Sequence, residues 1–303
     1  MQPTPSIPTL ILLLEDNDVW QQVAHDLSKQ GAELADELRL FCSANKHTLT
    51  DIQVERLEYV LQRINYNKLI QFYQKWVKSP NPSLTEALIY LAAYIYPTLD
   101  INDPLLRSRI RDICEDVEVR IKANMTIQER IEHLTEVFFN VHHFERADDT
   151  ESQHFAINHA LAYKKGNSAL LTLLYCVVAQ QLGLPVYPVL TDYFMILGAL
   201  RKPAPGTGLL QPKDSAETTN WYWGEVDLFI DPADKGVVIG KNRYRRMLDE
   251  QDITLTDNFF HPCSVVQAFQ FLVMQFHFAL TTRNDQLNID EIQDILNLLE
   301  KYS

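Results

Sequence analysis

Apolar positions in the first half of the chain recur at three- and four-residue spacing, the period of an amphipathic helix. Val19, Val23 and Leu27 share one face, after Asp16-Asn17-Asp18 offers capping oxygens and before Gly31 stops the run. Leu34, Leu38 and Phe41 predict a second helix, Leu57, Leu61 and Ile64 a third, and Leu69, Phe72, Tyr73 and Trp76 a fourth. Ser83-Leu84-Thr85-Glu86 reads as a capping box, a pattern in which two side chains satisfy each other's orphan amides, and it opens a helix that ends at Pro97. Asp103-Pro104 is an N-cap followed by proline at the first helical position, and Thr126-Ile127-Gln128-Glu129 is a second capping box ahead of Ile131, Leu134 and Phe138. Eight of the nine glycines follow residue 165, which leaves the first half nearly free of that helix breaker.

After residue 165 the period changes. VYPVLT and YFMILGAL are β-rich, residues 201–219 are rich in Pro, Gly and Ser and predict an exposed loop, and NWYWGEVDLFI returns to strand. RYRRML opens a short helix, and SVVQAFQFLVMQFHFAL and IDEIQDILNLLEKY predict two more. The expected division is a helical region over 1–98 and a mixed core over 99–303. LLLEDNDVWQQVAHDLSKQG looks like one HEAT-type unit without a second copy at a fixed period, so the helical region reads as HEAT-like or as a plain bundle.

Composition narrows the function classes. With 303 residues and 46% hydrophobic content the chain has material for one large core or two domains. A net charge of −13 argues against nucleic acid as a partner, since phosphate neutralisation needs clustered cations. Four widely spaced cysteines without a CxxC pair read as reduced thiols of a cytoplasmic protein, and the apolar run near the start is about half of a membrane span, so no membrane association is expected.

The candidate chemistry lies in KKGNSALLTLLYCVVAQQLGLPV (164–186) and FIDPADKG (229–236). A glycine-led turn opens an apolar helix that ends in Leu-Gly-Leu-Pro, a strand follows, and an Ile-Asp-Pro element comes later. In this order the chain resembles the transglutaminase-like superfamily. Within it the chain is most similar to the bacterial invasion-regulator branch, often joined to tetratricopeptide repeats, which reads roughly R-x-G-N-P-I-S-L, L-G-L-P-V, P-G-H-F and I-D-P-F-x-x-G. The resemblance implies an α+β, mostly helical fold whose papain-like core has a small antiparallel sheet. It also implies a Cys–His–Asp site, with the Cys on the first turn of the helix where the helix dipole favours thiolate. Ser168 stands at the nucleophile position. Trp221 stands at the His position if WYWGEV is matched to H-A-W-x-E-V, and Tyr193 if the match is to P-G-H-F. Asp231 retains the Asp position. Without the thiol and the imidazole that chemistry is off, so the expectation is a pseudoenzyme that binds a protein or peptide partner through a remnant cleft, with no cofactor and no metal.

Rival readings remain open. An altered hydrolase or acyl transferase would use Ser168 or Cys263 with a distant histidine such as His277, and a helical-repeat adaptor would bind through the first 98 residues. Cys176 lies about two turns into its helix, in an apolar run that reads as core. His142, His143, His154 and His159 cluster in sequence without metal-ligand spacing. Arg243, Arg245 and Arg246 form the one compact basic spot, suited to an acidic peptide or phosphate. Asn167, Trp221 and Trp223 are the other candidate binding residues.

Overall fold

The computed structural model describes residues 7–29, 32–45, 47–200, 226–250, 253 and 256–303. Gly31, the 201–219 segment and Trp221, Tyr222 and Trp223 lie outside the described residues. The chain divides into two compact units, one of residues up to 72 together with 90–102, the other of 73–89 with 103–303.

The first unit is helical. Helices α1 (Ile7–Glu15), α2 (Trp20–Ser28) and α3 (Ala32–Asn45) and the first part of α4 (Asp51–Trp76) bury Leu10, Leu14, Leu27, Leu38, Leu57 and Leu61 in a common core. The acidic triplet does not cap α2: Asp16 Oδ1 accepts the Asp18 amide at 2.9 Å, and the N-cap residue Val19 makes no side-chain cap bond. The third and fourth helices of the sequence reading are a single α4 of 26 residues. No Gly or Pro interrupts it, and a weak helix former within it is held: the carboxamide of buried Asn65 donates to Ala93 O at 2.8 Å and accepts from Arg39 Nη2 at 2.7 Å.

Helix α5 (Leu84–Ile95) shows half of its expected capping box. Ser83 Oγ accepts the Glu86 amide, but the Glu86 carboxylate pairs with Arg107 at 2.8 Å instead of turning back. The second unit continues with α6 (Pro104–Glu118), capped by Asp103, and α7 (Ile127–Thr135), whose Thr126–Glu129 box is complete. Beyond α7 the chain widens into a π-helical turn, Glu136–Val141, that buries Phe138 and Phe139. Strand β1 (Glu145–Arg146), a 3₁₀ turn (Ser152–Phe155) and α8 (Ile157–Tyr163) lead to β2 (Lys165–Gly166), parallel to β1.

Helix α9 (Ser168–Gln181) is apolar on every side, and eleven consecutive residues, Ala169 through Ala179, are buried. It packs on β3 (Val186–Leu190), β4 (Met195–Leu200), α6 and α8. The sheet runs β3-β4-β5-β6 and is antiparallel throughout, with β5 at Val226–Asp231 and β6 at Val237–Gly240. Pro188 sits in the edge strand β3, where a missing N–H is tolerated, and its carbonyl accepts the Cys263 amide at 2.8 Å. All six residues of β4 are buried, as expected of an inner strand covered on both faces. Helix α10 (Lys241–Glu250) follows β6, then α11 (Val265–Thr282), opened by a complete Ser264–Gln267 capping box, and α12 (Gln286–Glu300). The architecture is thus mostly helical α+β with a small antiparallel sheet. Among the described residues α11 alone is long and apolar enough to cross a membrane, and 56% of it is buried in the fold.

The turn from β5 to β6 fixes the sheet's position. Gly236 has φ +72°, and a Cβ there would come within 2.8 Å of Thr135 and 2.9 Å of Phe139. Gly236→Ala is expected to cost about 2–4 kcal/mol, combining left-handed strain with overpacking. Gly240→Ala meets nothing within 4 Å and should stay within about 0.5 kcal/mol of wild type. Urea denaturation of both variants checks the contrast, and equal losses would contradict it.

Candidate functional site

The start of α9 is assembled from four short pieces. Helix α8 ends with Lys164 in a left-handed conformation, φ 61°, and the chain turns straight into β2. Gly166 must be small, because a Cβ would press on Leu170 and Leu171 at 3.3 Å. Asn167, 1% exposed, then caps the helix: its Oδ1 accepts the Leu170 amide at 2.8 Å, and its own amide donates to His154 O at 2.8 Å. The Asn167 Nδ2 is buried without a partner among the described residues.

Ser168 is the first helical residue. Its amide donates to Asp149 Oδ1 at 3.4 Å, and its carbonyl accepts from Thr172 Oγ1 at 2.9 Å. Asp149 is held in turn by Arg146, Nη2 to Oδ2 2.6 Å. The 148–154 segment that carries Asp149 is pinned at both ends. Asp148 Oδ1 accepts the amide and hydroxyl of Thr150, each at 2.8 Å, which holds its carboxyl below the usual carboxylate range. His154 Nδ1 donates to Asp148 O at 2.7 Å. A carboxylate therefore lies at the positive end of the α9 dipole, where a nucleophile would otherwise be activated.

Asp231 ends β5 and spends Oδ1 on two backbone amides, Ala233 at 2.9 Å and Asp234 at 3.3 Å. The Pro232–Asp234 turn it closes packs on α9. Burial pushes the Asp231 carboxyl above its ordinary value. The two amides oppose that shift, the charge of Asp234 adds to it, and Arg146 opposes it. Beyond β6, fully buried Tyr244 stacks on Phe229 at 4.0 Å; its hydroxyl has no partner among the described residues, and burial, then the charge of Asp231, raises its pKa.

Ser168, Asp149 and Arg146 thus form one hydrogen-bonded chain, and the charge of Arg146 also acts on Asp231. Other sequence candidates lie apart from it. Tyr193 is 70% exposed in the β3–β4 turn, its amide on Thr191 Oγ1 at 3.2 Å. Arg243, Arg245 and Arg246 are exposed on α10. Among the described residues no imidazole is hydrogen-bonded to Ser168 Oγ, and no group of three or more His, Cys, Asp or Glu is placed to hold a metal.

The thiols share one direction. Burial pushes Cys176 up to about 12 and Cys114 to about 11, the latter with help from Glu118 and Glu115. Burial and Glu58 raise Cys42. Cys263 keeps some exposed residue surface, but burial around its sulfur and the neighbouring Cys176 raise it further still. None has the depressed pKa of a nucleophile at neutral pH.

Asp149, Arg146 and Tyr244 were not singled out from sequence. Arg146 and Asp149 are an i,i+3 pair of opposite charge, which is a local signal; the bond to an amide 19 residues later is tertiary.

Residues 105–272 match the family model described as the transglutaminase-like superfamily, a span of more than half of the chain. No curated protein and no solved structure matches.

Asp231→Ala removes the acceptor of two amides and is expected to cost about 1–2 kcal/mol, whereas Asp231→Asn keeps an Oδ1 acceptor and costs less. The raised folded pKa means that the folded state holds this proton more tightly than the unfolded state. The associated stability is complete below the ordinary value of about 3.9 and is lost as pH rises through the folded pKa. Urea melts across that window should show wild type losing ground to Asp231→Asn as pH rises. Wild type gaining ground instead would mean that the ionised carboxylate is the stabilised form.

Proposed function

The chain belongs to the transglutaminase-like superfamily, and on that premise we propose that it is a non-catalytic member, a binding or scaffolding module for a protein or peptide partner. The observation that carries this reading is the Asp149 carboxylate on the Ser168 amide. The helix terminus that would lower the pKa of a nucleophile instead neutralises an internal anion, itself fixed by Arg146. Asp231, at the position that orients the family's histidine, is engaged with two backbone amides. In triad chemistry, loss of nucleophile or base lowers the rate by about 10⁴–10⁶.

The Leu-Gly-Leu-Pro-Val and Ile-Asp-Pro elements support placing the chain near the bacterial invasion-regulator branch, with a helical region over 1–98 ahead of the family core. Four free cysteines fit a reducing cytoplasm. The proposed contact region is a remnant cleft at the α9 N-terminus, positioned by the buried cap Asn167, together with the aromatic positions Trp221 and Trp223.

The competing serine-hydrolase reading predicts an activated hydroxyl. A fluorophosphonate probe, which labels activated serines, should leave Ser168 unmodified at pH 7 and give the same pattern with wild type and Ser168→Ala. Labelling of Ser168 that disappears in the Ala variant would overturn the non-catalytic reading.

A further inference from the structure

We propose that the exposed face of α10 is the docking surface for an acidic peptide segment of a partner protein, seated across Arg243 and Arg246. The inference rests on reading the chain as a binding module and names the chemistry of what it binds. Helix α10 opens with KNRYRR, so four of its first six residues are cations. Like charges this close repel one another, and the first of them lie at the positive end of the helix dipole, so Arg243 and Arg246 are favoured by an added anion. Asp249 and Glu250 lie four residues beyond Arg245 and Arg246, yet among the described residues no salt bridge neutralises Arg243, Arg245 or Arg246.

The inner face of the helix keeps these cations pointing outward. Tyr244 and Leu248 are fully buried, and Tyr244 stacks on Phe229 and meets the Phe260 ring edge-on at 5.7 Å. Rotation about the helix axis would expose both anchors. Arg245 lies over Phe260 with its guanidinium 5.3 Å from the ring centroid, which restricts its rotamers. Arg243 and Arg246 are left exposed three residues apart, so their Cβ atoms are spaced by about 5–6 Å. Side chains two apart on an extended peptide are spaced by about 6.6 Å, so a Glu-x-Glu segment brings one carboxylate to each guanidinium fork.

Charge complementarity selects the partner. The chain carries −13 overall, so an acidic segment is repelled from most of its surface and steered to its compact basic spot. A basic partner would be driven away from α10.

The test is fluorescence anisotropy on the full chain with a fluorescein-labelled EGEGEGE peptide, its lysine counterpart KGKGKGK, and phosphatidylserine vesicles. The acidic peptide should bind wild type, with affinity falling roughly tenfold or more between about 50 and about 300 mM salt. R243E/R246E should lose roughly tenfold or more, and R243K/R246K should lose less, because charge remains while the fork is lost. Both positions are exposed, and an unchanged melting temperature checks the fold. Equal affinity for wild type and R243E/R246E, or no binding of the acidic peptide, would overturn the proposal. Vesicle binding that depends on Arg243 and Arg246 without peptide binding would also overturn it and assign the face to an anionic membrane. The peptide titration is independent of fluorophosphonate labelling, so a failed docking surface and a failed non-catalytic reading are separate results.

Discussion

A helix that is apolar on every side must be buried, and a buried helix must find partners for its first amides inside the protein. Helix α9 imposes that condition on the second unit. Its amides are met by Asn167 Oδ1 and Asp149 Oδ1, and each acceptor needs support of its own. Asn167 is located by the His154 carbonyl, His154 by the Asp148 carbonyl, and Asp149 by Arg146. The short parallel pairing of β1 with β2, which sets Arg146 beside Gly166, brings these groups to the helix start. The same helix supports the sheet and the Asp231 turn, so the site and the core have one organising element.

This arrangement gives the positions that match the family's frame a role of their own in folding. Gly166, Asn167 and Asp231 each have a folding role that holds without catalysis. The first permits close packing of α9, the second caps it, and the third closes the turn that packs against it. Ser168 contributes chiefly backbone groups, which any residue able to start a helix would supply. The structural demand is thus on the side chains of Gly166, Asn167 and Asp231 and on the backbone of Ser168.

Much of the fold was legible because its signals are local. Asp103-Pro104 and Thr126–Glu129 give the helix starts read from them, and the change of period after residue 165 marks the β-rich runs that become β3 and β4. Where the structure departs from local signals, groups remote in sequence are involved. The expected third and fourth helices are one, and Asn65 between them is satisfied across the unit by Ala93 and Arg39, so α4 runs on. Glu86 suited a capping box but meets Arg107. The π-helical turn after α7 has no pattern of its own, and Phe139 in it packs against the Gly236 turn of a distant hairpin. Within the site, the Gly-Asn start and the Asp-Pro turn could be read from motifs, whereas the Asp149–Ser168 contact could not.

On the non-catalytic reading proposed above, the interior of the second unit holds α9 and does not activate a nucleophile. The most direct measurement is the rate of alkylation of each cysteine by iodoacetamide against pH, resolved by mass spectrometry on the native protein. Cys114, Cys176 and Cys263 should react more slowly than an unfolded thiol at pH 7, and Cys42 should not be accelerated. A cysteine that reacts with an apparent pKa well below the ordinary value of about 8.5 would contradict this reading, because a thiolate would then be stabilised where burial and nearby negative charge disfavour it.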